Sequence, residues 1–331
     1  MKLFSIFALI PVVTSVHLGD RFDSWLDEYK VTVDDNHMYM SMFEKWADND
    51  NFIHDHNSNN ASHTLGHNQF SAMNSSDYKT FLGYSPEVGK TKRFGSVMWI
   101  TKNFIADSVN WVQAGAVTPV KNQGQCGSCW SFSTTGALEG AYFVKNGKLV
   151  SFSEQQLVDC DNFRNGGHDQ GCNGGLMDNA FDWISNNRGL CLESDYPYLS
   201  GDTQDSGSCK KSCSVYPGSD IIKYIDVVSS DDSQMMAALT KQPVAIAIEA
   251  DQREFQLYKS GVFSAKCGTS LDHGVLAVGY GTENGDDYYL VKNSWGDSWG
   301  SDGYIKLARG RSFNNGDGQC GMLLSASYPV V

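Results

Sequence analysis

Lys121-Asn122-Gln123-Gly124-Gln125-Cys126-Gly127-Ser128-Cys129-Trp130-Ser131 joins a Gly-rich turn to an apolar run and leaves Cys129 where a helix should begin. The thiolate is the nucleophilic form of cysteine, and an unperturbed cysteine is mostly thiol at neutral pH. A helix N-terminus offers unpaired N–H groups and a partial positive charge, both of which favour the thiolate. From Ser131 onward Phe132, Thr135, Gly136, Leu138, Glu139, Tyr142 and Phe143 predict a helix with one buried face. Cys129 is the candidate nucleophile.

A thiolate needs a base, and after residue 104 only His168 and His273 remain. His168 sits in the Gly-rich stretch Asn165–Gly171, where a solvated loop residue is expected. His273 opens the apolar run Gly274-Val275-Leu276-Ala277-Val278 and is the better candidate, although a core histidine would look the same. A working imidazole must be held in one tautomer, which a side-chain amide can do. Val291-Lys292-Asn293-Ser294-Trp295-Gly296 supplies Asn293 for that task and Trp295 to shield the pair from water. Acyl transfer also needs donors at the developing oxyanion. Gln123 can return beside the helix start and join the backbone N–H of Cys129.

Composition narrows the setting. The chain has 331 residues, 41% hydrophobic, and a formal net charge of −13, which argues against nucleic acid as a partner. Residues 1–15 carry one positive charge, a short apolar run and small residues near Ser15 and Val16. They are expected to be a secretory signal peptide, and no later run is apolar enough to span a bilayer. Nine cysteines, none before Cys126, fit four bridges with Cys129 free. The pairs Cys126/Cys129 and Cys209/Cys213 match neither a regular zinc spacing nor a thioredoxin-like setting, so no metal and no cofactor is expected.

Residues 16–104 hold six of the eight histidines and a polar Asn/His/Asp stretch. They read as a helical segment that depends on another part of the chain for packing. From about Ile105 the composition shifts to Gly, Trp, Cys and Tyr. Helices are predicted at Cys129 to Lys145, Ser153 to Asp159 and Leu176 to Asn186. Strands are predicted at Val244–Ile248, Gly274–Gly281, Tyr288–Lys292 and Gly303–Leu307. Helices first and strands later indicate an α+β protein in two lobes.

These motifs, with Gly171-Cys172-Asn173-Gly174-Gly175, Asp272-His273-Gly274 and Asn293-Ser294-Trp295-Gly296 in that order, resemble the papain-like cysteine proteases, most closely the cathepsin L-like branch. Asn293 stands slightly further from Cys129 than is usual there. The resemblance runs from about Phe22 to Val331. It implies a helical N-terminal lobe, a β-barrel-like C-terminal lobe, an active-site cleft between them, and a helical inhibitory prodomain at 16–104 ahead of a mature domain at 105–331. Cys129 would be nucleophile, His273 general acid/base, Asn293 its orienter and Gln123 the oxyanion donor. Gly174 and Gly175 would hold an extended peptide. Leu176, Met177, Ala247, Leu271 and Gly274 would line the pocket for the second residue before the scissile bond (P2), with Ser325 at its floor and Trp295 beside it. That lining implies a hydrophobic P2 residue.

The same resemblance implies the bridges Cys126–Cys172 and Cys267–Cys320, and Cys160 paired with Cys209 or Cys213. An additional Cys191–Cys213 bridge is expected. It further implies a monomeric endopeptidase made as a zymogen, acting on protein or peptide substrates. Its own prodomain and cystatin-like proteins would inhibit it. Its destination would be the secretory pathway, then a lysosome, a vacuole or the exterior. An acyl transferase or a non-catalytic binding protein are the alternatives from other classes. Within the prodomain, Trp46, Asn49, Ile53 and Asn57 match the long-helix motif, but Met38, Met42 and Ala72 replace residues usually charged. Asn60 and Asn74 open glycosylation sequons. His54, His56, His63 and His67 read as solvated surface or as a group that charges between about pH 7 and 5.

Overall fold

The computed structural model describes residues 17–86 and 105–331; the expected leader and the cut expected after residue 104 lie at or beyond the edges of those stretches. The first stretch is built on aromatic spacing. Helix α1 (Leu18–Glu28) and helix α2 (Asn36–Asn57), capped by the Asp35 side chain on Met38 N, pack Phe22, Trp25, Trp46 and Ala72 into a small core. Ala72 is buried there, so the charge usual at that position would have no water. Charge is re-sited: Arg21 grips the Asp50 carboxylate, which also meets His67 Nε2 at 2.9 Å, and the His67 ring stacks on Trp46 at 4.4 Å. Strand β1 (His63–Leu65) follows, tied to α2 by Asn57, whose side chain bonds both N and O of Leu65. The short helix α3 (Ser75–Lys79) starts on an Asn74 capping box.

After β2 (Val109–Asn110), the helical lobe comprises α4 (Cys129–Asn146), α5 (Glu154–Cys160), α6 (Met177–Asn187) and the single turn α7 (Ser200–Thr203). The three longer helices start and end within a residue or two of the predicted bounds. The surprise is burial. Helix α4 is buried on every side from Cys129 to Tyr142, where the sequence predicts one buried face. It runs between the lobes, and two glycines permit the approach. A Cβ on Gly136 would stand 2.8 Å from Leu276 Cδ2, and one on Gly140 would stand 2.5 Å from Pro243 Cγ.

The second lobe is formed by β3 (Lys223–Asp226), α8 (Asp232–Leu239), β4 (Val244–Ile248), α9 (Arg253–Gln256), β5 (Tyr258–Phe263), β6 (His273–Glu283), β7 (Asp286–Lys292), β8 (Tyr304–Ala308) and β9 (Ala326–Val330). The four predicted strands are β4, β6, β7 and β8. Strand β4 is apolar throughout because it is buried on both faces, between β6 and β9. The order is β1-β5-β8-β7-β6-β4-β9-β3, with β2 added on β6. Among the described residues the two ends of this path do not pair with each other, so the sheet is not closed; packed beside the helical lobe it gives the two-lobed α+β arrangement that was expected. Strand β1 occupies one end, antiparallel to β5 with His63 opposite Gly261. The amino-terminal segment therefore covers an edge of the sheet.

Candidate active site

Cys129 is the first residue of α4, and its Ser128 N-cap makes no side-chain bond to the helix amides. The sulfur is fully buried and accepts the Gly274 N–H at 3.3 Å, a contact that brings the helix start against the first residues of β6. His273 stands at the head of β6. Its Nε2 meets Asn293 Oδ1 at 2.8 Å, and that same oxygen accepts Ser294 N at 2.8 Å, which fixes the amide. The Trp295 indole stacks on the imidazole at 4.5 Å. Nδ1 of His273 has no partner among the described residues.

Gln123 is completely buried. Its Oε1 accepts the Ser294 hydroxyl at 2.7 Å, and its Nε2 donates to Cys126 O at 2.8 Å and Phe81 O at 2.9 Å. The amide is thus oriented from one side and presents its donor to a carbonyl on the other. Ser294 and Tyr198, whose hydroxyl donates to Gln123 O, are positioning groups that the sequence did not single out. Both act across long sequence separations, so that even Ser294, inside a quoted motif, could not be tied to Gln123 from the sequence.

Residues 81–85 fill the cleft. Gly83 O accepts Gly175 N at 3.0 Å, Ser85 N donates to Gly175 O at 3.2 Å, and Tyr84 N donates to Asp272 O at 2.9 Å. The bridge between Tyr84 and Gly175 is parallel. Gly83 must be glycine: a Cβ there would stand 1.9 Å from Gly127 O. The Tyr84 ring shares one apolar cluster with Leu176, Met177, Ala247 and Leu271, and its hydroxyl donates to Ser325 Oγ at 3.0 Å. Gly274 closes beside Met177, whose sulfur would be 3.1 Å from a Cβ on it. Gly174 adopts φ +110°, open to glycine, with Gly83 O and Ser85 against it.

Electrostatics follow this closure. Burial pushes the Cys129 thiol up to about 12, against the amides of Gly274, Gly83 and Trp130, which favour the thiolate. Burial likewise pushes the His273 imidazole down to about 4, against its bond to Asn293. The closed form favours neutral thiol and neutral imidazole. Asp272 is raised to about 7, again chiefly by burial.

The bridges are Cys126–Cys172, Cys160–Cys209, Cys191–Cys213 and Cys267–Cys320, and Cys129 is free. Cys126–Cys172 ties the turn before α4 to the Gly174–Leu176 wall. His168 is exposed, as are Asn60 and Asn74. Among the described residues no cluster could hold a metal ion, and no helix is long and apolar enough to cross a membrane.

A nucleophile on a helix in one lobe, an amide-held imidazole on a strand in the other, and an extended segment between them define a two-lobed thiol hydrolase fold. Residues 105–330 match the family model described as papain family cysteine protease, and residues 22–78 match the cathepsin propeptide inhibitor domain (I29). This chain belongs to the papain family of cysteine proteases. It is 47% identical to the probable cysteine protease RD21B of Arabidopsis thaliana, over 87% of this chain and 60% of that one. It is 44% identical to the oryzain beta chain of Oryza sativa subsp. japonica, over 86% of this chain and 60% of that one. The chain thus spans about 60% of the length of these relatives. Among solved structures it resembles the recombinant stem bromelain precursor, with a TM-score of 0.85, 37% identity, 95% of this chain and 99% of that one. It also resembles a digestive procathepsin L 3 of Tenebrio molitor, with a TM-score of 0.84, 34% identity, 96% of this chain and 100% of that one.

Proposed function

We propose that the chain is the zymogen of a cysteine endopeptidase that favours a hydrophobic, aromatic-sized residue at P2. The observation that carries this reading is the course of Phe81–Ser85. An extended peptide is bonded to both walls, the Phe81 carbonyl sits on Gln123 Nε2, and the Tyr84 side chain reaches Ser325. Residues 16–104 act as the prodomain and 105–331 as the mature enzyme. Once the prodomain leaves, water enters, the burial that keeps both groups neutral is relieved, and a proton passes from Cys129 to His273. The thiolate sulfur attacks the carbonyl carbon, and Gln123 Nε2 with the Cys129 N–H holds the oxyanion. The C–N bond breaks as His273 protonates the departing amine, and water then hydrolyses the thioester with His273 as base.

An acidic compartment of the secretory pathway suits this protein. Burial raises Asp169 and Asp272 to about 7 and Glu193 to about 8. A carboxyl whose folded pKa lies above its unfolded value stabilises the fold fully at low pH and loses that contribution as pH rises through the folded pKa. The window here runs from about pH 4 to about pH 8. The long loop between Cys160 and Cys172 bonds back on itself, Gly167 N to Asn162 O and His168 N to Asp161 Oδ1. Among the described residues none of its hydrogen bonds from Asn162 to His168 reaches residues 81–85, which supports an open cleft and an endopeptidase.

Thiol labelling tests the function. The zymogen is treated with an epoxide or iodoacetamide probe near neutral pH, then again after reduction at about pH 5 with the prodomain removed. Cys129 should be silent in the first sample and labelled in the second, with loss of cleavage of Phe-P2 peptides. An unlabelled Cys129 after prodomain removal would favour a binding protein. The pocket has its own test. Ser325→Glu should raise kcat/KM for Arg-P2 relative to Phe-P2 peptides by about tenfold. An unchanged ratio would remove Ser325 from the pocket floor.

A further inference from the structure

Behind the Gly174–Leu176 wall lie two carboxyl groups that the reaction does not use. Asp161 follows α5 and Asp169 closes the long loop; they are 0% and 3% exposed. Asp169 Oδ1 accepts Leu176 N at 3.0 Å and Asn179 Nδ2 at 3.1 Å. Asp161 Oδ1 accepts His168 N at 3.2 Å. In each group the remaining oxygen, Oδ2, is buried without a partner among the described residues. Asp161 Oδ1 holds the amide of the residue next to Asp169, so the two carboxyl groups face each other across one turn, and each perturbs the other's ionisation. No lysine or arginine forms an ion pair with either one among the described residues. The other acidic group facing them is Asp178 on α6, which adds negative charge; His168 and Arg164 on the loop are exposed.

Two buried carboxylates in contact cannot both ionise without large cost, whereas a carboxylic acid and a carboxylate form a strong hydrogen bond through one proton. We propose that Asp161 and Asp169 share one proton, and that this acid–carboxylate bond is a positioning device for the substrate-binding backbone at Gly175. The linkage is short. A Cβ on Gly175 would stand 2.7 Å from Asp169 Cγ on one side and 2.7 Å from Trp130 Cδ2 on the other. Gly175 is therefore clamped between the indole and the carboxyl group, while Asp169 also holds the next amide. Burial and the facing carboxyl raise Asp161 well above the ordinary range, and burial raises Asp169 to about 7. When the proton is lost, two like charges press apart directly behind Gly175. The peptide-binding edge loosens, while Cys129 and His273, on other elements, keep their chemistry.

This inference rests on the endopeptidase reading. The test compares wild type with the isosteric double variant D161N/D169N, in which an amide–amide hydrogen bond needs no shared proton. With activated enzyme, KM for a Phe-P2 peptide should rise at least about fivefold from about pH 6 to about pH 8.5 in wild type, with kcat separately governed by His273. That rise should vanish in D161N/D169N. The same rise in the double variant, or a flat KM in wild type, overturns the proposal. A second reading uses the intact zymogen. Its infrared spectrum at about pH 6 should contain protonated-carboxyl C=O intensity that titrates away at higher pH, and D161N/D169N should lose the Asp161/Asp169 share of it while keeping that of Asp272 and Glu193. A band unaltered by the substitutions overturns the proposal, even if the enzyme turns over no peptide. Absence of turnover alone strikes the peptidase reading and leaves the infrared result to decide this one.

Discussion

Cys129→Ala protein freed of its prodomain should cleave peptide at least about 10⁴-fold more slowly than wild type, as kcat/KM on a Phe-P2 peptide would measure. The sulfur lies at the start of α4, and no other described cysteine is free to replace it. The substitution removes one buried atom and leaves the Gly274 amide without an acceptor, a change the fold can absorb. His273→Ala should cost a comparable factor, because its Nδ1 is the imidazole nitrogen not committed to another group. The two losses should not multiply, since nucleophile and base act as one unit. Appreciable turnover by pure Cys129→Ala protein would sink the assignment of the nucleophile. Unchanged turnover by His273→Ala would sink that of the base.

Why the site was so legible is a matter of local geometry. Gln123 to Trp130 must combine a tight turn with a helix start, and Asp272-His273-Gly274 must bring an imidazole to a strand end beside a residue with no side chain. Such demands leave contiguous words in the sequence. The long helices and the apolar strands β4 and β6 carried their own periodicity. What escaped was set by distant partners. Strand β5 carries Gly261 at φ +86° in its middle, and β9 carries Pro329, so neither looks like a strand. Strand β1 exists because β5 offers it an edge. The Asp161–Asp169 contact was hidden for the same reason, as was the burial of His63, which no pattern of neighbouring residues reports.

The largest expected regulatory effect belongs to His63. His63 is 5% exposed, its ring packed on Phe263 of β5 at 4.9 Å and on His56 of α2 at 4.6 Å, and neither ring nitrogen has a partner among the described residues. Burial first, and then the neighbouring His56, lowers its pKa from 6.5 to about 4. The docked prodomain therefore holds His63 neutral, while the released one lets it charge near pH 6.5. For a histidine whose bound-state pKa is depressed, the docked state's stability is intact above the free value and is lost as pH falls from about 6.5 toward about 4. The whole shift is worth about 3 kcal/mol, of which about 2 kcal/mol, roughly 30-fold in affinity, is already lost at pH 5. His67 is also lowered, by burial first and against its bond to Asp50, but it stacks inside the prodomain's own core and not on the sheet. Acid thus acts oppositely on the two parts of the molecule: it favours the carboxyl-rich mature domain and loosens the strand that covers its edge. His63→Gln cannot charge, so the ratio of the activation rate at pH 5 to that at pH 7 should fall by roughly 20-fold, whatever the substitution does to docking at both pH values alike. His54→Gln, on the exposed face of α2, is the control and should leave the ratio alone. An unaltered ratio in His63→Gln would assign the acid response to groups other than this buried imidazole.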